Sequence, residues 1–401
     1  MLRRLGGFTL LPLLSLVTPF VLLPVVARVA GPQGWSSVVA GQSVGTFGAT
    51  VVFWGWNVIG PVEAARARGP ELTGLYGSSL RTRLLLLAPV LPAAALVSAV
   101  VAQPGYRAVA ASMALATSLL GLSPAWWGIG VGRPAVLFWY DTVPRVAAAA
   151  LAVPVVLATR AIWTYPLLLV VATVVGLVAF QRRHAPGADW SPLPLGRAAR
   201  ELQAQAGTAG VNLVGTAYAA TPAPVATAAF PGAVASPLSS ADAVYRLGLF
   251  AVVATGNAFQ GWTLEPDADR GERARRHRTA VLAHLALGVA GLLVLALLGP
   301  WLTGLLFGAP VAASRELGVA YGAAFLLISA STPYVRNLLL PAGRTRLVLA
   351  WTAASAVAGL AVMLVAAARG WLAGVAWGMA ASELVLLLGV LGPALRVRRA
   401  L

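Results

Sequence analysis

The sequence predicts an all-α integral membrane protein of about twelve transmembrane helices, built as two six-helix lobes with both termini cytoplasmic. Three observations predict it. Of the 401 residues, 59% are hydrophobic and only 10% charged, whereas a soluble domain carries about 25% charged residues. The mean hydropathy is +0.82. The apolar runs reach the roughly 20 residues that one helical crossing needs, and short arginine-bearing segments separate them. Strand-like alternation, the mark of a membrane β-barrel, is absent from these runs.

Windows bounded by Arg, Gly or Pro place the first six helices at about 8–29, 36–61, 83–102, 107–127, 138–158 and 161–180. The second six fall at about 203–228, 242–263, 280–299, 317–339, 347–368 and 371–394. Met1-Leu2-Arg3-Arg4 imitates the start of a signal peptide, but the apolar run continues to about Val29, so it reads as an uncleaved first helix.

The arginines fix the orientation. Net charge is +17 and every basic residue is Arg. With the N-terminus inside, 21 arginines fall in cytoplasmic segments, among them Arg66, Arg68, Arg81, Arg83, Arg133 and Arg183. The opposite side holds five: Arg28, Arg107, Arg160, Arg315 and Arg369. That asymmetry obeys the positive-inside rule. The basic balance therefore reports topology, and nucleic-acid binding is not expected. Cysteine is absent, which excludes disulfides, thiolate metal sites and cysteine nucleophiles.

The longest cytoplasmic connection, 181–202, separates an N-terminal lobe (1–180) from a C-terminal lobe (203–401). Three correspondences at similar spacing suggest an internal repeat. Pro12, Pro19 and Pro24 interrupt helix 1 as Pro222 and Pro224 interrupt helix 7. Gly55-Trp56-Asn57 ends helix 2 as Gly256-Asn257 ends helix 8. Pro124 precedes Gly132-Arg133 as Pro333 precedes Gly343-Arg344. Six helices per half insert both halves the same way round, which predicts a pseudo-two-fold along the membrane normal.

Paired, proline-broken helices point to a transport pathway, so Pro19, Pro24, Pro222 and Pro224 are the candidate hinges. Arg145 and Arg246 lie within spans, each with an aspartate four residues earlier, Asp141 and Asp242. Each is either a self-satisfied ion pair on its own helix or the wall of a cationic cavity, where the guanidinium fork suits a diphosphate. Arg336 has no acid near it in sequence and reads as a snorkelling residue or a third cavity cation. Arg28, Gln42, Asn57 and Asn257 complete the candidate substrate-binding set; for the polar uncharged ones the competing role is hydrogen bonding between helices. Gly41/Gly45 and Gly370/Gly374/Gly378 read as close helix packing. Trp54, Trp56, Trp126, Trp127 and Trp139 read as an interfacial aromatic belt.

Several motif matches carry nothing. Gly130-Val131-Gly132-Arg133-Pro134-Ala135 follows a membrane helix, not a strand, and is no dinucleotide loop. Asp267-Ala268-Asp269 sits in a short loop beside arginines, without a soluble domain to complete a metal site. His184, His277 and His284 lack metal-ligand spacing, and there is no P-loop. No cofactor, metal or enzymatic activity is expected.

Pro24-Val25-Val26-Ala27-Arg28-Val29-Ala30-Gly31-Pro32-Gln33-Gly34-Trp35, continuing through Trp54-Gly55-Trp56-Asn57 to Glu63-Ala64-Ala65-Arg66, resembles the first two helices of O-antigen and polysaccharide flippases. These are the Wzx-type members of the multidrug/oligosaccharidyl-lipid/polysaccharide exporter superfamily. Pro124-Ala125-Trp126-Trp127-Gly128 and Ala241-Asp242-Ala243-Val244-Tyr245-Arg246 are similar as well. The chain departs from that family in lacking lysine and in its short length, and it omits the two extra helices of the lipid II flippases.

The resemblance implies two lobes around a cavity that opens alternately to either side of a bacterial inner membrane. It also implies an undecaprenyl-diphosphate-linked oligosaccharide as substrate, membrane lipids around the chain, polysaccharide-assembly proteins as possible partners and a monomeric state. Two other functions stay open. A cation-coupled exporter of drugs or metabolites needs cavity carboxylates, and the acids here (Glu63, Asp141, Asp242, Glu316, Glu383) read as lying toward helix ends or beside arginines. A membrane-embedded polymerase or glycosyltransferase needs a large outer loop, and the outer loops are short.

Overall fold

The structure, a computed structural model, describes residues 2–189, 191, 194–263 and 270–400, and of these the side chains from Leu22 onward except at 195, 211, 261, 270, 399 and 400. Asp267-Ala268-Asp269 and the side chain of Pro19 lie outside the described residues. Among the described residues every regular element is helical. Ten helices are long and apolar enough to cross a membrane.

Two features account for ten where twelve are expected. The first is that helices 1 and 2 follow one another without a loop and are taken together as α1 (Leu2–Phe53), two helical segments that meet at a kink where Gly31 leaves helical geometry with φ 65 and ψ −176. This corrects the sequence expectation at one point: the chain stays helical through Pro24, which is buried, and turns at Gly31 instead. Glycine adopts that backbone without the Cβ clash that any other residue would meet. The second is the expected seventh helix. It is present, but carries Arg197, Arg200, Glu201, Gln203, Gln205 and Asn212 and is too polar to count as a span by composition.

The chain divides into two compact units, 1–216 and 217–401. In the first, α1 is followed by α2 (Trp56–Arg66), α3 (Gly69–Val101), α4 (Arg107–Leu119), the short α5 (Ala125–Gly130) and α6 (Pro134–Leu137), α7 (Val143–Thr159), α8 (Thr164–His184) and most of α9 (Leu195–Ala219). α1 packs on α3, α4 and α7. The approach to α4 is close because Gly41 and Gly45 lack side chains: a Cβ there would stand 2.3 Å from the Ala110 carbonyl oxygen and 2.5 Å from that of Ala114. α1 ends where Trp54 and Gly55 take φ 40 and 88, and the Trp54 indole donates to the Leu202 carbonyl at 2.9 Å.

In the second unit, α10 (Pro222–Ala229) is followed by α11 (Gly232–Thr263), α12 (Arg270–Leu293), α13 (Gly299–Phe307), α14 (Arg315–Tyr334), α15 (Thr345–Ala368) and α16 (Leu372–Ala400). A π-helical turn, Val335–Leu339, follows α14 directly after Pro333. α14 packs against α11, α12 and α16, and α15 against α16. Leu238, Tyr245, Leu317, Tyr321, Phe325 and Met379 form its core.

Large apolar side chains also cover the outside, including Val100 at 72%, Leu96 at 66% and Leu388 at 64% exposure. Water would make so much exposed apolar surface costly, and lipid does not. The tryptophans divide differently from the expected belt. Trp139 is 59% exposed, but Trp56, Trp126 and Trp127 are core residues. Trp126 fits because Gly60 beneath it has no Cβ, which would otherwise lie 2.6 Å from the indole ring.

Candidate functional site

The polar side chains gather where helices break. In the first unit the break follows α4: a 3₁₀ turn at Leu120–Leu122 leads to Pro124 and then α5. Carbonyls at such a break lose their helical donors and need others. Arg83 supplies them. It is fully buried, and its Nη1 donates to the carbonyls of Gly121 at 3.2 Å and Ser123 at 3.0 Å, while Nε donates to Ser79 at 3.2 Å. The sequence places Arg83 in a cytoplasmic segment at the start of helix 3. Instead, α3 begins at Gly69 and carries Arg83 in its interior, because the broken backbone beside it provides the acceptors that a buried guanidinium requires.

Ser123 links that break to the first candidate arginine. Its hydroxyl donates to Asp141 Oδ1 at 2.6 Å, and the same oxygen accepts from Arg145 Nη2 at 2.5 Å. Asp141 is placed by a π-helical turn at Phe138–Thr142. Of the side chains, Arg145 is 32% and Asp141 16% exposed.

The second unit repeats the device. α9 ends at Ala219 and α10 starts at Pro222, whose missing N–H costs nothing at the first position of a helix. Arg246 donates through Nε to Asp242 at 2.6 Å and through Nη2 to the Ala219 carbonyl at 2.6 Å. Asp242 is fully buried. Arg145 and Arg246 thus each pair with the aspartate on their own helix while keeping about a third of their side chain exposed, and each pair is further tied to a neighbouring proline break.

The remaining candidates fall into small groups. Arg336 reaches Asn257 Oδ1 at 2.7 Å and, more loosely, Gln260 Oε1 at 3.4 Å. The approach passes over Gly256, where a Cβ would stand 3.1 Å from the guanidinium. The structure thus joins two candidates that lie far apart in sequence. Asn57 is exposed and accepts from Asn212 Nδ2 at 3.3 Å. Gln42 is half-buried on α1, and its main-chain carbonyl accepts from Thr46. Arg28 is exposed just before the Gly31 bend. Pro222 is buried at the start of α10, with Pro224 two residues into that helix.

Sequence reasoning missed one group. Glu383 reads as an acid near a helix end or an arginine, yet it is interior to α16 and 1% exposed. Tyr218 donates to its Oε1 at 2.6 Å, while Oε2 has no partner. Tyr245 and Tyr321, both core residues, lie 5.1 Å apart between ring centroids with their planes tilted by 40°. A charged residue in an otherwise apolar helix was the available signal. Among the described residues no three of His, Cys, Asp and Glu gather as a metal site would require.

No protein-family model matches the sequence, and no curated protein matches it. Solved structures do match the fold. The lipid II flippase MurJ in an inward closed conformation superposes with a TM-score of 0.71 at 11% identity, over 98% of this chain and 87% of that one. An inward-facing multidrug resistance MATE family transporter of the MOP superfamily gives 0.66 at 14% identity, over 95% and 94%. A eukaryotic MATE transporter gives 0.55 at 13% identity, over 99% and 98%. The chain has the fold these transporters and flippases share.

Proposed function

We propose that the chain is a flippase that turns an undecaprenyl-diphosphate-linked oligosaccharide from the cytoplasmic to the outer leaflet of a bacterial inner membrane, for assembly of cell-surface polysaccharide. The observation that carries this reading is the likeness to MurJ, a lipid II flippase, over 98% of the chain. In this reading the chain crosses twelve times with both termini cytoplasmic, α1 supplying two crossings through its bend and α9 with α10 supplying the seventh. Two six-helix lobes, 1–180 and 203–401 about the linker 181–202, are related by a pseudo-two-fold and rock about the Gly31 bend and the break before Pro222. The substrate's diphosphate follows a cationic path to which Arg28, Arg145, Arg246 and Arg336 contribute, and its prenyl chain stays in lipid.

A cation-coupled exporter is the second reading, favoured by the buried carboxylates Asp242 and Glu383. One experiment separates the two. In a strain lacking the chain, lipid-linked oligosaccharide is assayed by leaflet, with complementation by wild type or Arg336→Ala. Accumulation on the cytoplasmic side that wild type reverses, and Arg336→Ala reverses poorly, is expected. An unchanged leaflet distribution together with lost drug efflux would replace the flippase by the exporter.

A further inference from the structure

The first unit has a second cationic feature that the transport path does not use. A pocket of about 650 Å³ opens among the ends of α2, α5 and α8, within the size range of small-molecule sites. Arg68, Arg133, Arg183, His184, Thr73 and Trp127 line it, and no acid does. Two tight turns present the cations: Gly69, next to Arg68, has φ 52, and Gly132, next to Arg133, has φ 68. Arg68 is held in place by bonds from its Nη1 to the carbonyls of Ala65 and Ala67, both 2.8 Å. Arg133 and Arg183 lie close enough to His184 to act on it electrostatically, and His184 is wedged among Trp127, Tyr140 and Phe180.

Arginines retained only for orientation snorkel outward and need not meet. Here three exposed arginines from separate helix ends border one pocket that no acid lines, so an anion seated there meets three cations and no like charge. Trp127 contributes an aromatic wall: it is 4% exposed and lines the pocket.

A second pocket of about 340 Å³ shares Arg133 and His184 with the first and continues along Pro134, Ala135, Val136 and the exposed Trp139. The two pockets share Arg133 and His184, so a basic surface lies beside an apolar one, which matches a phosphate carried on a hydrocarbon chain better than a free anion. We propose that this pocket binds a lipid phosphate: its headgroup rests among Arg68, Arg133 and Arg183, and the chain leaves past Pro134, Val136 and Trp139.

The test is equilibrium binding to the full-length protein in neutral detergent, with short-chain phosphatidic acid and inorganic diphosphate as probes. Wild type is expected to bind phosphatidic acid at least tenfold more tightly than diphosphate. Arg133→Gln/Arg183→Gln should lose at least tenfold in affinity for the lipid. Arg107→Gln, outside the pocket, should bind as wild type. Undiminished lipid binding by the double variant would overturn the site, and equal affinity for diphosphate would assign it to a free anion instead. Binding is read without transport, so failure here and failure of the flippase reading are separable.

Discussion

Replacing Arg83 tests whether the break after α4 depends on a buried guanidinium. Arg83→Met keeps much of the stem's packing and removes every donor. It orphans the carbonyls of Gly121 and Ser123, now 3.2 and 3.0 Å from Nη1. An orphaned buried acceptor costs about 1–3 kcal/mol, so the two together cost roughly 2–6 kcal/mol. Burial of the guanidinium, whose Nη2 has no partner, is itself unfavourable, and its removal returns part of that sum. The net expectation is a loss of about 2–4 kcal/mol. Arg83→Lys keeps the charge but not the fork, serves one carbonyl of the two, and should lose about 1–2 kcal/mol. The assay is unfolding of the purified protein in detergent, read by denaturant midpoint and melting temperature. The expected order is wild type, then Lys, then Met. A Met variant as stable as wild type would refute the reasoning and make Arg83 a tolerated burden.

Two further outcomes follow from the packing. Arg246→Ala leaves Asp242 buried without its cation and should cost about 3–5 kcal/mol; adding Asp242→Asn should recover a good part, and additive losses in the double-variant cycle would contradict the pairing. Gly41→Val puts a side chain against the Ala110 carbonyl, 2.3 Å from the Cβ position, and should destabilise by about 1–3 kcal/mol, whereas Gly392→Val, with open space around it, should melt close to wild type.

The candidate site was legible in part, and the reason lies in distance along the chain. Asp141 with Arg145 and Asp242 with Arg246 are visible in sequence because four residues make one helical turn, so their pairing is local. That Ser123 and the Ala219 carbonyl join them is not visible, since it depends on which helix lies beside which. Arg336 with Asn257 is separated by 79 positions, and Tyr218 with Glu383 by 165. Arg83 misled for a related reason: an arginine at the edge of an apolar window reads as loop, and only the broken backbone across from it shows why it can be buried. Trp126 and Trp127 misled because interface and core tryptophans look alike in sequence; for Trp126 it is Gly60, distant along the chain, that opens the room.

By itself the sequence determined that this is a helical membrane protein. Composition and apolar run length suffice for that, because lipid forces every backbone polar group to be satisfied within a helix. It also determined where helices weaken, since proline and glycine act on their own backbone. Only the tertiary structure decided which breaks are bent and which are severed. Gly31 bends α1 while Pro24 does not interrupt it, and α9 stops short of Pro222. Tertiary structure also decided which charges are buried, because a charge is tolerated in an apolar interior only where a distant segment brings it hydrogen-bond partners.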